Sequence, residues 1–487
     1  MKFQDIREFI TFLEQKGELH RISTPVDTRL EITEIADRMI KSGGPALLFE
    51  SPLGYDIPVL INAFGKDNRI CWALGLCDEL DQVAEKVQGI LDMVQGPPEG
   101  IVNKLRTLGQ LANLASYRPR TVSNPPCQDV VLQGEDVDLF KFPILQCWPM
   151  DGGRYITLPL VITRDPETGI QNYGIYRMQV YDRRTTGMHW QTHKVGAHHE
   201  RIGRQLGLDR LDVAVALGGD PATIWSGSAP MPPDVDEMMV AGFLRGEGVA
   251  LAKALTSDLM VPAEAEIVLE GYVLLNEQRL EGPFGDHTGY YSMPDPYPVF
   301  HVTCITHRNR PIYPAAIVGR PPTEDYWMGK VTERMFLPVI KTLMPEVVDM
   351  NMPAEGIFHN LVIVSVKKEY PGQARKVMHG LWGMGLMSLV KGIIVVDHFV
   401  DVKNISEVAW RVTSNMDPAQ DFVFTTGPID DLDVASPTPK FGSKVGIDAT
   451  IKMPQEGGRT GEWPPDVVMS PEVKDLVDHK WASYGIS

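Results

Sequence analysis

Cysteine is scarce in this chain: five residues among 487, namely Cys71, Cys77, Cys127, Cys147 and Cys304. They are odd in number, far apart and without the short spacing of a zinc ligand set, so buried thiols in a reducing compartment are expected rather than a disulfide framework. Positive charge is also short, since 46 Lys and Arg against 63 Asp and Glu leave a formal charge of −17. Nucleic acid and anionic membrane surfaces reward cations, which excludes both as general electrostatic partners. No apolar run approaches the roughly 20 residues of a membrane span; the longest are strand-length pieces such as Gly392-Ile393-Ile394-Val395-Val396. Met1-Lys2-Phe3-Gln4-Asp5 leads into an amphipathic pattern and not into a charged segment followed by an apolar one, so export is not expected. The expected location is cytoplasmic, with at most peripheral contact at the inner membrane. Missing too are the Rossmann and P-loop glycine strings and the Gly-x-Ser-x-Gly nucleophile elbow.

What is present is an ordinary globular balance, 43% hydrophobic and 22% charged, over a length that accommodates two to four domains. Ile6, Phe9, Ile10 and Leu13 recur at helical spacing ahead of Gly17, predicting a helix with one packed face. Strand-like pieces at 19–22, 46–49 and 59–62 alternate with helical ones at 31–40 and around Leu80, Val83, Ala84, Val87 and Leu91. This predicts an α/β domain over 1–117. Pro119, Asn124, Pro125 and Pro126 mark a linker near 117–128. From there to residue 325 short strands and turns predominate, with one helix over Glu237–Leu244, a texture that favours a β-barrel or sandwich. Residues 326–487 read strand (361–366), helix, strand (393–396), helix, strand (422–425), the pattern of a parallel α/β sheet. A terminal helix follows, with Ser470-Pro471-Glu472 as its start signal and Val473, Leu476, Val477 and Trp481 on one apolar face. That face can dock on its own chain or on a neighbouring subunit. The fold class expected is thus α+β and multidomain.

The most informative stretch is Glu281-Gly282-Pro283-Phe284-Gly285-Asp286-His287-Thr288-Gly289-Tyr290-Tyr291, which places two carboxylates five positions apart in a loop that cannot be helical. Pro283 restricts the backbone while the glycines allow close approach to a ligand, so both acids can be aimed. Solvated turns share this composition, and the loop alone does not establish chemistry. Asn172, His193 and Glu237 offer an amide, an imidazole and a carboxylate, donors that suit a hard divalent cation better than zinc, although their spacing is no motif. His198-His199-Glu200, taken as neighbours on a strand, is expected at the surface. Lys444, within Gly442–Gly446, is expected as a solvated lysine on a glycine turn.

Four segments together, Gln171-Asn172-Tyr173-Gly174-Ile175-Tyr176-Arg177, His189-Trp190-Gln191-Thr192-His193, Asp234-Val235-Asp236-Glu237 and the loop from Glu281, resemble the UbiD family. The resemblance runs from the N-terminal helix to Gly442–Thr450. Its members are decarboxylases of aromatic and α,β-unsaturated acids that use prenylated FMN, and Asp at 286 is similar to the 4-hydroxy-3-polyprenylbenzoate branch, where the ferulic acid branch has Glu. The resemblance implies a central split β-barrel of flavin-reductase type and a homo-oligomer, dimer or hexamer. It implies Arg177 as the grip on a substrate carboxylate, Glu281 as its partner, and Asp286 as proton donor, an acid whose pKa an apolar pocket would raise. His287 would pack against Asp286 or modulate it. Ile175, Tyr176, Arg177, His189, Trp190, Gln191 and Lys194 are the implied cofactor-binding residues. Asn172, His193 and Glu237 are the implied ligands of Mn²⁺ or Mg²⁺ beside the cofactor phosphate, with K⁺ a further candidate ion. A flavin prenyltransferase of UbiX type would supply the cofactor.

The function expected is non-oxidative decarboxylation of an aromatic acid, 4-hydroxy-3-polyprenylbenzoate in ubiquinone synthesis before a polyprenyl naphthoate of a menaquinone route or a small phenolic acid. Readings of another class are a flavin reductase or FMN-binding module and a non-catalytic assembly subunit, neither of which needs Arg177, Glu281 and Asp286 together.

Overall fold

The structure is a computed structural model, and it describes residues 2–76, 79–95, 116–192, 194–231, 236–456 and 463–486. The first helix, α1 (Ile6–Gln15), begins where the Asp5 side chain accepts the backbone N–H groups of Arg7 and Glu8, both at 3.0 Å. It buries Ile6, Phe9, Ile10 and Leu13, the face its spacing predicts. Behind it lies a sheet of β1 (Leu19–Ile22), β2 (Ala46–Phe49) and β3 (Val59–Ile61), with α2 (Glu31–Lys41) between the first two strands. The fourth strand of this sheet, Tyr313–Pro314, arrives from much later in the chain and runs parallel to β3. Cys71, Cys127, Cys147 and Cys304 are buried free thiols; Cys77 lies outside the described residues.

The central sheet is antiparallel. Its strands are β4 (Gln171–Ile175), β5 (Thr185–Gly187), β6 (Arg210–Gly218), β7 (Ala265–Glu281) and β8 (Asp295–His307), with Leu160–Arg164 between β4 and β6. Val130–Gln133 adds to β8. Among the described residues no pairing joins β5 to β4, so the hydrogen-bonded sheet is open and not a closed barrel. The expected helix is α3 (Glu237–Arg245).

The last sheet runs in the order Val347–Asn351, Leu361–Val366, Gly392–Asp397, Phe441–Asp448, Phe422–Pro428. The three middle strands are parallel, as a strand-helix-strand pattern requires, but Phe422–Pro428 is antiparallel and its place is taken by Phe441–Asp448. That strand was hidden by its glycines: Gly442, Lys444, Gly446 and Asp448 face inward, and a Cβ on Gly446 would stand 2.4 Å from Met378 Sδ. Lys444 is therefore not a solvated turn residue. It is buried, its Nζ donates to the Val390 carbonyl at 2.8 Å, and burial pulls its pKa down to about 8. His198-His199-Glu200 departs from expectation as well. It lies on the helix Val195–Gln205, where His199 is buried against Thr163 Oγ1 at 2.9 Å and burial lowers its pKa to about 4.

A long helix, α4 (Glu324–Leu343), ties these parts together. Its first residue, Glu324, is fully buried and accepts the Asn62 and Phe64 backbone N–H groups at 3.0 Å each, and Met328 takes the Trp225 indole N–H on its carbonyl at 3.0 Å. The terminal helix α5 (Pro471–Lys480) has no buried residue, and Val473, Leu476 and Trp481 stand 38%, 50% and 50% exposed. No helix among the described residues is long and apolar enough to cross a membrane.

Glu324→Ala strands two buried donors, each costing about 1–3 kcal/mol. The apparent melting temperature is expected to fall by several degrees, with Glu324→Gln falling less because it keeps one acceptor; a melt of Glu324→Ala matching the unmutated chain would refute the staple.

Candidate functional site

The end of β7 delivers Glu281, opposite Asp295 of β8, directly into the acidic loop. Gly282, at φ +106°, turns the chain where a side chain would be strained, and the Gly282-Pro283 peptide is cis. A small hairpin, Phe284–Gly285 with Tyr291–Ser292, then carries Asp286 and His287 at its tip. The loop is anchored on every side. Pro283 O accepts Gly152 N–H at 2.8 Å and the Tyr155 hydroxyl at 3.1 Å, Asp151 Oδ1 accepts Gly285 N–H at 2.8 Å, and Gln179 Oε1 accepts Gly282 N–H at 2.8 Å. Gly285 has no room for a Cβ, which would stand 2.2 Å from Trp148 Cδ1. This is a built site and not a solvated turn.

Arg177, just past β4, reaches the two acids from the facing side. Its Nε and Nη2 donate to Glu281 Oε1 and Oε2 at 3.0 and 3.2 Å, its Nη1 donates to Asp286 Oδ2, and Nη2 also meets Ser292 Oγ at 2.9 Å. The guanidinium lies over the Phe284 ring, 4.6 Å from its centroid. Burial would push the Glu281 carboxyl up, but His189, donating from Nδ1 at 2.9 Å, and Arg177 together hold it down at about 2. His189 itself is kept below its usual range by burial and by Arg177, so it is neutral and its Nε2 is a buried acceptor without a partner among the described residues.

Asp286 departs from the expected raised acid. Burial pushes it up, yet the Arg177 guanidinium and the His287 ring hold it well below the carboxylate range. His287 Nδ1 stands 2.8 Å from Asp286 Oδ1, and although burial opposes it, the Asp286 charge raises the imidazole to about 9. In this arrangement the proton sits on His287 and Asp286 is ionised. The reason is spatial: two cations flank a carboxyl that the loop sequence alone would leave in an apolar pocket. On its other side the His287 ring faces His359, with centroids 4.7 Å apart, and His359 Nε2 lies 3.3 Å from Asp430 Oδ2. No sequence signal marks His359, a lone histidine, or Asp430, one of three acids in Asp430-Asp431-Leu432-Asp433, in separate loops of the C-terminal part. Neither were Phe284 and Ser292 singled out.

The other expected residues gather nearby. Tyr176 is buried and its hydroxyl accepts the Gly196 N–H at 3.3 Å; Trp190 is buried with Nε1 unpartnered among the described residues, against Gly196, where a Cβ would come within 2.6 Å of that nitrogen. Ile175 and Gln191 are half-buried, and Lys194 is exposed at the start of the helix Val195–Gln205. A buried donor on Trp190 and a buried acceptor on His189, both unanswered, fit a polar ligand lying between the sheet and that helix. Asn172 and Glu237 meet: Asn172 Oδ1 faces Glu237 Oε1 at 3.2 Å, two acceptors that an amide rotation or a cation between them would relieve. Burial raises Glu237 to about 7, and among the described residues no basic side chain pairs with it. An amide oxygen beside an uncompensated carboxylate fits a hard divalent ion. His193, the third expected ligand, lies outside the described residues.

Comparison with known families matches residues 10–87, 120–321 and 326–449 to the N-terminal, Rift-related and C-terminal domains of UbiD, described as 3-octaprenyl-4-hydroxybenzoate carboxy-lyase. An uncharacterized protein of Archaeoglobus fulgidus is 52% identical over 99% of this chain and 98% of its own. Among solved structures, the closed form of Sedimentibacter hydroxybenzoicus vanillic acid decarboxylase is 28% identical with a TM-score of 0.84, covering 100% of both chains. An evolved dimeric form of the UbiD-class enzyme HmfF from Pelotomaculum thermopropionicum, in complex with prFMN, is 27% identical with a TM-score of 0.79 over 98% of this chain and 100% of that one.

Arg177→Met leaves Glu281 and Asp286 buried without their cation, a loss of about 3–5 kcal/mol. Glu281, lowered to about 2 in the folded chain, contributes stability that is present above its unfolded value of 4.5 and is lost as pH falls toward 2. Thermal melts are therefore expected to separate variant from parent widely at pH 8, with the gap narrowing below pH 4.5 and becoming small as pH approaches 2; a gap independent of pH would contradict the ion triad.

Proposed function

The chain belongs to the UbiD family of carboxy-lyases, and on that premise we propose that it is a prenylated-FMN-dependent, non-oxidative decarboxylase of an aromatic acid, with 4-hydroxy-3-polyprenylbenzoate of ubiquinone synthesis as substrate. The observation that carries this is the buried Arg177 between Glu281 and Asp286. A flavin reductase has no use for such a trio. A small phenolic acid is the second reading, favoured by the likeness to vanillic acid decarboxylase.

Glu281 occupies the Nε edge of Arg177 and fixes the plane of the guanidinium, which leaves Nη1 as the end a substrate carboxylate can take. An arriving carboxylate competes there with Asp286. Once Arg177 is shared, Asp286 has lost part of its compensation and gained a like charge beside it, and both changes raise its pKa until it takes up a proton. The reaction consumes one proton per carboxylate converted to carbon dioxide, and Asp286 is the group that hands it to the product carbon. Prenylated FMN, when bound, supplies the sink for the electron pair left by departing carbon dioxide. Tyr176, His189 and Trp190 would hold it, with Ile175, Gln191 and Lys194 alongside, while Asn172, Glu237 and His193 would hold Mn²⁺ or Mg²⁺ near its phosphate.

The central sheet is read as a split barrel within a domain over 118–325, between domains over 1–117 and 326–487. The cofactor would come from a flavin prenyltransferase in the cytoplasm. The apolar face of α5, together with exposed Val467, Val468 and Met469, is read as a contact between copies of this chain.

Protein co-produced with a flavin prenyltransferase should release carbon dioxide from 4-hydroxybenzoates, and protein holding plain FMN should not. Asp286→Asn should retain the flavin spectrum while turnover falls by about 10²-fold or more, with loss of deuterium incorporation into product in D₂O. NAD(P)H oxidation without carbon dioxide release would make the chain a flavin reductase instead.

Deleting residues 470–487 should lower the mass found by light scattering to that of a smaller assembly. An unchanged mass would remove α5 from the subunit contact.

A further inference from the structure

Asp286 is poorly placed to recover a proton by itself. Its side chain is 6% exposed, and one oxygen faces Arg177 while the other faces His287, whose side chain is 16% exposed. Each turnover nevertheless requires a new proton from solvent. The neighbour in direct hydrogen-bond reach is His287, 2.8 Å from Asp286 Oδ1 through Nδ1, with its second ring nitrogen, Nε2, buried and unpartnered among the described residues. Beyond it the C-terminal part contributes His359, 21% exposed, and Asp430, placed so that one ligand atom from each of His287, His359 and Asp430 falls within 4.8 Å of the others.

We infer that His287 is the proton reservoir for Asp286, and that His359 and Asp430 are positioning residues that keep His287 charged and turned toward it. This rests on the decarboxylase reading above. When substrate displaces Asp286 from Arg177, the Nδ1 proton of imidazolium His287 passes to Asp286 Oδ1, and an ion pair becomes a neutral pair. Asp286 then gives a proton to the product carbon. What remains is an Asp286 carboxylate beside a neutral His287, and one proton from water restores the ion pair. One proton enters and one leaves in the product, which matches a reaction that converts a carboxylate to carbon dioxide and a C–H bond.

The charged and titratable groups facing His287 are Asp286 on its own hairpin, Asp325 at the start of α4, and His359 and Asp430 of the C-terminal part. Three acids surround one imidazole. His359 is itself held neutral, because burial outweighs the pull of Asp430, so it adds no competing charge and leaves the Asp430 carboxylate to act on both rings. The Phe358 ring, 5.7 Å from His287, closes another side. Asp286, on the same hairpin, does most to raise the His287 ring, and the C-terminal part adds to it through Asp430 where it packs on the acidic loop.

The test uses the holoenzyme and pH profiles of decarboxylation. His287→Gln keeps a hydrogen-bond donor beside Asp286 but cannot pass a proton on, so kcat should fall by about 10²-fold or more with KM little changed, and His287→Ala should be partly rescued by added imidazole. A histidine raised above its unfolded value is protonated below its folded pKa, so turnover should be lost as pH rises through about 9. Asp430→Asn should move that alkaline limb down by about one pH unit or more. Nitrogen NMR of the imidazoles in flavin-free protein, with His287→Gln identifying the signal, should give the same order of midpoints without any substrate. Unmutated kcat and pH profile in His287→Gln, or a His287 midpoint near the ordinary histidine value, would overturn the inference. So would a stoichiometric divalent ion released by His359→Ala, because a metal-bound nitrogen could not carry the proton. Absence of carbon dioxide release by the unmutated holoenzyme would defeat the decarboxylase reading itself, a failure distinguishable because the other outcomes leave parental turnover intact.

Discussion

A guanidinium buried between two carboxylates is the constraint from which the rest of this site follows. Taking Arg177, Glu281 and Asp286 out of water costs several kcal/mol per ion, and only close pairing on several edges offsets it. Arg177 meets that demand with donors to both acids and to Ser292, while His189 fills a further lone pair of Glu281. One cation cannot neutralise two anions. The remaining negative charge is met by His287, which explains why its pKa lies near 9 in a half-buried position where burial alone would lower it.

The scaffold serves this charge arrangement. β4 and β7 belong to the same antiparallel sheet, and the length of β7 carries Glu281 out past the end of β6, still paired with Asp295 of β8, to where the chain can turn back over Arg177. The hairpin is then fixed by backbone hydrogen bonds to Asp151, Gln179 and Gly152, so the acids are aimed by structure already paid for in the fold rather than by flexible side chains. From the opposite side α4 bridges the N-terminal sheet through Glu324 and leads into the C-terminal part that brings up His359 and Asp430. A site split between two parts of the chain depends on their packing, through which Asp430 adds to the pull of Asp286 on the His287 proton.

How much of this the sequence reveals depends on the range of the interaction. The helix at Ile6–Gln15 and its four buried residues follow from spacing alone, because its packed face is set by a local period. Glu281 and Asp286 are recognisable because they share one short loop, whereas Arg177 enters only through the family resemblance, since nothing in its own neighbourhood announces a partner about a hundred residues away. The strand Phe441–Asp448 escapes a periodic reading because two of its inward positions are glycines and a third is a lysine, residues admitted there by Met378 overhead and by the Val390 carbonyl. Likewise the protonation of Asp286 cannot be read from composition. Burial and flanking charge push it in opposite directions, and only the distances decide which wins.

Those opposing forces also give the site a direction. With no substrate present, Arg177 and His287 keep Asp286 ionised, so no acid waits in the pocket to protonate an adventitious ligand. A ligand without a carboxylate cannot compete for Nη1 of Arg177 and leaves that state undisturbed, whereas a carboxylate both weakens the compensation of Asp286 and adds a like charge beside it. In the proposed mechanism, proton delivery is thereby coupled to the one functional group the reaction removes. On that proposal, once carbon dioxide has left, the product has no charge with which to hold Arg177, Asp286 regains its partner, and its pKa falls again. The same ion pair that stabilises the resting site thus opposes retention of the acid form once the carboxylate is gone.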